Sequence, residues 1–196
     1  MPLHELRVPK VSDQAPDVEL LDDRRKPVRL SELWAAGPLV LLFYRGEASP
    51  ESRAALLDFR DNGLAFKKLG ARIAAVSTDE PSVSAWLRTE RGLSCDLLCD
   101  PSRTAVDAWG LLDRESFDGV ARQAVFVIDR TGHVRSRALE DGKLDADTIL
   151  HFLRRGGAEG KRPLKLRVAR VFRRLRDTEA RIFGSLGGGA RSGHPT

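Results

Sequence analysis

The side chains best suited to chemistry in this 196-residue chain are two cysteines, Cys95 and Cys99, and two serines, Ser49 and Ser52, that bracket Pro50-Glu51 at the start of a helical pattern. A thiol pair could cycle between dithiol and disulfide. In an extended segment, however, residues four apart are separated by about 13 Å at some 3.3 Å per residue. A disulfide needs Cα atoms about 5.5 Å apart, so only a bend lets the two sulfurs meet. The alternative reading is of two small buried residues flanking a short strand. Ser52 could act as a nucleophile only with a base beside it. The chain lacks GxSxG, and no histidine has a claim to that role. The simpler expectation is that Ser49 or Ser52 caps the helix by accepting from its first free N–H groups, a cradle that can also hold an anion or polar ligand. His4, His133, His151 and His194 are scattered without metal-ligand spacing, so no metal and no cofactor are expected.

The elements around these residues read as alternating strands and helices. Asp17 to Leu21 and Pro27 to Leu30 flank a polar turn and predict a β-hairpin. Ser31 is placed to cap a short turn through Trp34. The apolar run Leu39 to Tyr44 predicts a strand buried on both faces. From Pro50 to Leu69, Leu56, Phe59, Gly63 and Phe66 recur at helical spacing, and Gly70 closes that helix. Arg72 to Ser77 is a second buried strand, after which Asp79 and Pro81 open a helix that stops at Gly92. A short strand at Cys95 to Cys99, a helix from Thr104 to Trp109, a strand Ala124 to Ile128 hairpinned to His133–Leu139, and a helix from Ala146 to Arg155 capped by Asp145 complete the order. Alternation of this kind predicts an α/β sheet with helices on both faces.

The charge is uneven. The chain carries +5 overall, but residues from Arg154 onward hold twelve Lys/Arg against three acids, leaving −4 on the first 153 residues. After a glycine-rich linker over 156–162, residues 163–185 predict an amphipathic helix. Its apolar stripe runs from Leu164 to Phe183, and its basic residues are Lys165, Arg167, Arg170, Arg173, Arg174, Arg176 and Arg181. Such a helix fits packing on the domain or on a protein partner, a second copy included, or an anionic membrane surface. Nucleic acid is the weaker fit, for want of interleaved aromatics. Residues 186–196 are low-complexity, and residues 1–16 read as an irregular arm. The longest apolar run is far short of the roughly 20 residues needed to span a bilayer. With no apolar h-region near the amino terminus, the expectation is a cytoplasmic protein, peripheral to membranes at most.

Three local signatures resemble the AhpC/TSA (redoxin, peroxiredoxin-like) superfamily. The first is Phe43-Tyr44-Arg45-Gly46, followed by Glu47-Ala48-Ser49-Pro50-Glu51-Ser52-Arg53, similar to the family's FYRG and Cys-Pro-x-Cys-Arg. The second is Val76-Ser77-Thr78-Asp79 with Leu97-Leu98-Cys99-Asp100-Pro101 and Ala108-Trp109-Gly110. The third is Val125-Phe126-Val127-Ile128-Asp129 with Gly132-His133-Val134-Arg135. The resemblance covers about residues 12–155. It implies a thioredoxin-like three-layer α/β sandwich over 17–155, with the N-terminal hairpin and the basic helix as additions.

The resemblance also implies a chemistry: a cysteine at the Ser52 position attacks peroxide as a thiolate, becomes a sulfenic acid and is resolved by another thiol. Serine has no such cycle, and both Cys positions, 49 and 52, are serine here. Ala48 replaces an aromatic, Arg45 a common proline, and Gln123 the expected active-site arginine, with Arg122 one place away and facing the other side of a strand. The expectation is therefore a family member that has lost thiol peroxidase activity and acts by binding or regulation. The alternative is a thiol-disulfide oxidoreductase using Cys95 and Cys99.

Overall fold

In a computed structural model, the structure describes residues 8–116, 119–139 and 145–159. The elements are β1 (Glu19–Asp22), β2 (Pro27–Arg29), α1 (Leu30–Ala36), β3 (Leu39–Phe43), α2 (Pro50–Asp61), α3 (Gly63–Lys68), β4 (Arg72–Ser77), α4 (Pro81–Arg91), β5 (Asp96–Cys99), α5 (Thr104–Ala108), β6 (Ala124–Ile128), β7 (Val134–Leu139) and α6 (Ala146–Arg154). They form one seven-stranded sheet in the order β2-β1-β5-β4-β3-β6-β7. The central strands β3, β4 and β5 run parallel, while β6, β7, β1 and β2 add antiparallel flanks.

The all-apolar run of β3 explains its central place, because alternate side chains of a strand point to opposite faces and both faces here are covered. Leu39, Leu41 and Phe43 enter one layer with Trp34, Val106, Trp109 and Phe126. In it Phe43 lies 5.2 Å from Trp109, and Trp109 4.8 Å from Phe126, ring centre to ring centre. Val40, Leu42 and Tyr44 enter the other with Leu56, Phe59, Phe66, Leu87, Ile149 and Leu150. The result is the expected three-layer α/β sandwich.

Several local expectations need correction. The helix predicted over 50–69 is two helices, broken where Asn62 turns its amide back onto the Asp58 carbonyl, and Gly63 starts the second one. Ser31 caps nothing: α1 begins at Leu30, and the Ser31 N–H donates to Asp17 at 2.9 Å. Asp79 does not open α4, whose N-cap is Glu80. Within the linker predicted over 156–162, Gly157–Glu159 form a 3₁₀ turn with Gly157 buried against the Phe152 ring. The arm is irregular over its described residues 8–16, held by backbone bonds from Ser12, Asp13 and Ala15 to Val134 and Gly132 and by a single bridge between Gln14 and His133. Gly92 does end α4 in the left-handed conformation, φ +60°, and Asp145 does cap α6 by accepting from the Thr148 N–H. The predicted basic helix over 163–185, with Lys165, Arg167, Arg170, Arg173, Arg174, Arg176 and Arg181, and the 186–196 tail lie outside the described residues.

Candidate functional site

The site is built where β3 ends and α2 begins. Ser49 is the N-cap of α2: its hydroxyl accepts from the Ser52 N–H at 3.2 Å and donates to the Glu51 carboxylate at 3.0 Å. Pro50 stands in the first turn, where its missing N–H costs nothing. One turn in, Ser52 is fully buried, and its Oγ accepts from the Arg45 N–H at 3.0 Å. The two serines thus close the loop 45–52 upon itself.

A second set of contacts fastens this loop to β4. The Asp79 carboxylate accepts from the Glu47 N–H at 3.0 Å and from the Ser77 hydroxyl at 3.1 Å. Its other oxygen faces Gly46, whose φ of +115° is a conformation that glycine tolerates. A Cβ at that position would lie 2.8 Å from the Asp79 oxygen. Burial pushes the Asp79 carboxyl above its ordinary range, against the hydrogen bonds from Ser77 and Glu47. Beneath it, the Tyr44 hydroxyl is buried near those of Ser77 and Ser84 but meets neither in hydrogen-bond geometry, and burial pushes its ionisation up. The arginines are engaged around the rim. Arg45 pairs with Asp113 at 3.0 Å, and Arg53 donates to the Glu47 carbonyl at 2.6 Å.

Gln123 precedes β6, whose first residue, Ala124, pairs with Phe43, so it belongs to the same end of the sheet as Tyr44 and the loop. Arg122 is directed to the Gly110 carbonyl, at 2.6 Å. The structure thus gathers Ser49, Pro50 and Ser52 in one turn and sets Gln123 at the same sheet end. It does not bring Cys95 and Cys99 together. They stand at opposite ends of an extended segment, and both are free thiols. Burial pushes Cys95 up to about 11 and raises Cys99, whose sulfur contacts the Ser84 hydroxyl at 3.2 Å. Neither thiol has the depressed pKa that makes a cysteine nucleophilic near neutrality.

Sequence reading missed Asp79 and Asp113 as members of the site. Asp79 sits inside the Val76-Ser77-Thr78-Asp79 signature, which could have marked it. Asp113 carries no local signal. Among the described histidines, a hydrolytic role for Ser52 finds no base. Of the described imidazoles, His133 is held by Thr131 in the β6–β7 turn at the far end of the sheet, and His151 is exposed on α6. Among the described residues, no group of three or more His, Cys, Asp and Glu side chains is placed to hold a metal.

Comparison with known proteins agrees with this architecture. Residues 11–137 match the AhpC/TSA family. Peroxiredoxin Bcp of Bacillus subtilis is 30% identical over 130 residues, which cover 64% of this chain and 82% of that protein. Among solved structures, the peroxidoxin BcpB of Mycobacterium tuberculosis superposes with a TM-score of 0.69 at 30% identity, over 75% of this chain and 97% of that one. A cysteine-to-serine mutant of PrxQ from Xylella fastidiosa reaches the same TM-score of 0.69 at 18% identity, over 76% of this chain and 98% of that one, a likeness of fold. With its strand, loop and helix start at the place the family signature occupies, the chain belongs to the AhpC/TSA family of peroxiredoxin-like proteins.

Proposed function

We propose that this chain is a peroxiredoxin-family protein without thiol peroxidase activity, which acts by binding a partner or ligand. The observation that carries the reading is Ser52: at the family's nucleophile position stands a buried hydroxyl already engaged by the Arg45 N–H. A serine hydroxyl ionises far above neutrality and forms no sulfenate. The companion position, Ser49, is occupied in capping α2. The partner in this reading is a protein, a second copy included. A cytoplasmic setting is part of this reading. Among the described residues, no helix is long and apolar enough to cross a membrane.

The competing assignment, redox chemistry at Cys95 and Cys99, is opposed by the separation of the two and by the burial of Cys99, Cys95 being partly exposed. Treating the folded protein with hydrogen peroxide in the presence of dimedone, which traps sulfenic acids, and weighing the intact chain separates the two. The proposal expects no adduct. Stoichiometric labelling of Cys95 or Cys99 would overturn it.

A further inference from the structure

The end of the sheet opposite the Ser49–Ser52 turn carries a cleft of its own. The parallel strands β3, β4 and β5 finish toward that turn, whereas the cleft opens where β4 and β5 begin, at Arg72 and Asp96. Its other wall is the turn between β1 and β2. The cleft has a volume of about 320 Å³, within the roughly 300–1,000 Å³ of small-molecule sites. Much of the charge in its walls is paired. Arg88 donates to the Asp23 carboxylate at 2.6 and 3.1 Å, and its remaining terminal nitrogen donates to the Leu93 and Cys95 carbonyls, both at 3.0 Å. Arg72 meets Asp96 through Nε and Nη2, which leaves its Nη1 outside the pair. The Asp22 carboxylate is turned into its own hairpin, where it accepts from the Arg24 and Lys26 N–H groups, each at 2.8 Å. The side chains of Arg24 and Lys26 are exposed on the rim, and neither has a hydrogen-bond or ion-pair partner among the described residues.

The walls thus hold four cations against three carboxylates, a surplus of one positive charge. That surplus sits within the first 153 residues, which together carry −4. We infer that the cleft binds a small organic monoanion, a carboxylate on a compact apolar body, with the carboxylate held between Arg24, Lys26 and the open edge of Arg72. A guanidinium edge suits this group because its parallel N–H bonds match two carboxylate oxygens. The half-buried Val28 and the partly exposed Cys95, both lining the cleft, give the body of the ligand an apolar surface. A dianion fits less well, since only one positive charge is uncompensated and the second negative charge would face the carboxylates of the same walls. The cleft shares no residue with the Ser49–Ser52 turn, so it binds whether or not that turn reduces peroxide.

Titration of the full nitrogen-15-labelled chain with sodium benzoate at constant ionic strength, followed by amide chemical shifts, tests this. The expected result is saturable shifts at the Asp23, Ser94 and Cys95 amides, which line the cleft. Arg24→Gln/Lys26→Gln should raise the dissociation constant at least about tenfold, the loss of one charge-assisted hydrogen bond or more. Lys67→Gln/Lys68→Gln removes the same charge from exposed positions of α3 outside the cleft and should leave the constant unchanged. All four substituted residues are exposed, and the same spectra report that each variant is folded. Absent or unsaturable shifts at the three amides overturn the inference. Equal weakening by the two double variants also overturns it, because attraction by net charge alone would then account for the binding. Inorganic phosphate bound as tightly as benzoate overturns the assignment to a monoanion.

Discussion

The hydroxyl of Ser52 receives the amide proton of Arg45 across 3.0 Å, in a place closed to solvent. The bond ties the last residues of the β3 segment to the first turn of α2. Ser52→Ala would leave the Arg45 N–H without its acceptor. Leaving a buried donor unsatisfied costs about 1–3 kcal/mol. Chemical denaturation of the variant should show a lower midpoint with an unchanged slope.

Ser49 contributes in a different manner, by capping. Ser49→Ala removes the acceptor of the Ser52 N–H and should cost about 1 kcal/mol. Ser49→Asp keeps an acceptor at a helix N-terminus and should recover most of that loss. The same denaturation series checks both variants.

Gly46 should tolerate no side chain. Its φ of +115° and the 2.8 Å approach of a Cβ to Asp79 act together, so Gly46→Ala should destabilise by more than about 1 kcal/mol. Gly92, also at positive φ but with open space around it, is the comparison. There only the backbone strain applies, and the loss should be smaller.

Two carboxylates should give pH dependences of opposite sign. Burial raises Asp79, so the fold prefers its neutral form. Its contribution is fully present below the ordinary aspartate pKa of about 3.9 and is lost as pH rises through the raised folded value. The Arg88 hydrogen bond lowers Asp23, whose contribution is present above that ordinary value and is lost as pH falls through the lowered one. Against Asp79→Asn, the wild type should lose relative stability on going from acid to neutral. Against Asp23→Asn, it should lose relative stability on going into acid. Urea midpoints measured from acid to neutral pH check both signs.

The layered fold was legible because β3, β4 and β6 are short continuous apolar runs, a pattern that only burial on both faces explains. The turn with Ser49 and Ser52 was legible for a related reason: a buried strand, a polar loop and Pro50 follow one another within fifteen residues. What escaped were contacts between distant segments. Asp79 looks like a helix-starting residue until β4 is laid beside β3, which brings it under Gly46 and Glu47. The arm's few backbone bonds to Gly132 and Val134 escaped as well, since they leave no side-chain periodicity. The break at Asn62 was hidden because Leu56, Phe59 and Phe66 keep a helical spacing across it.

The central claim is that this site no longer reduces peroxide, and the rate of hydrogen peroxide consumption by the wild-type protein with dithiothreitol tests it most directly. The baseline is a Cys95→Ser/Cys99→Ser variant, and Ser52→Cys shows whether restoring sulfur to the turn restores the chemistry. The account predicts a wild-type rate equal to the baseline. Sustained wild-type turnover above that baseline would contradict it.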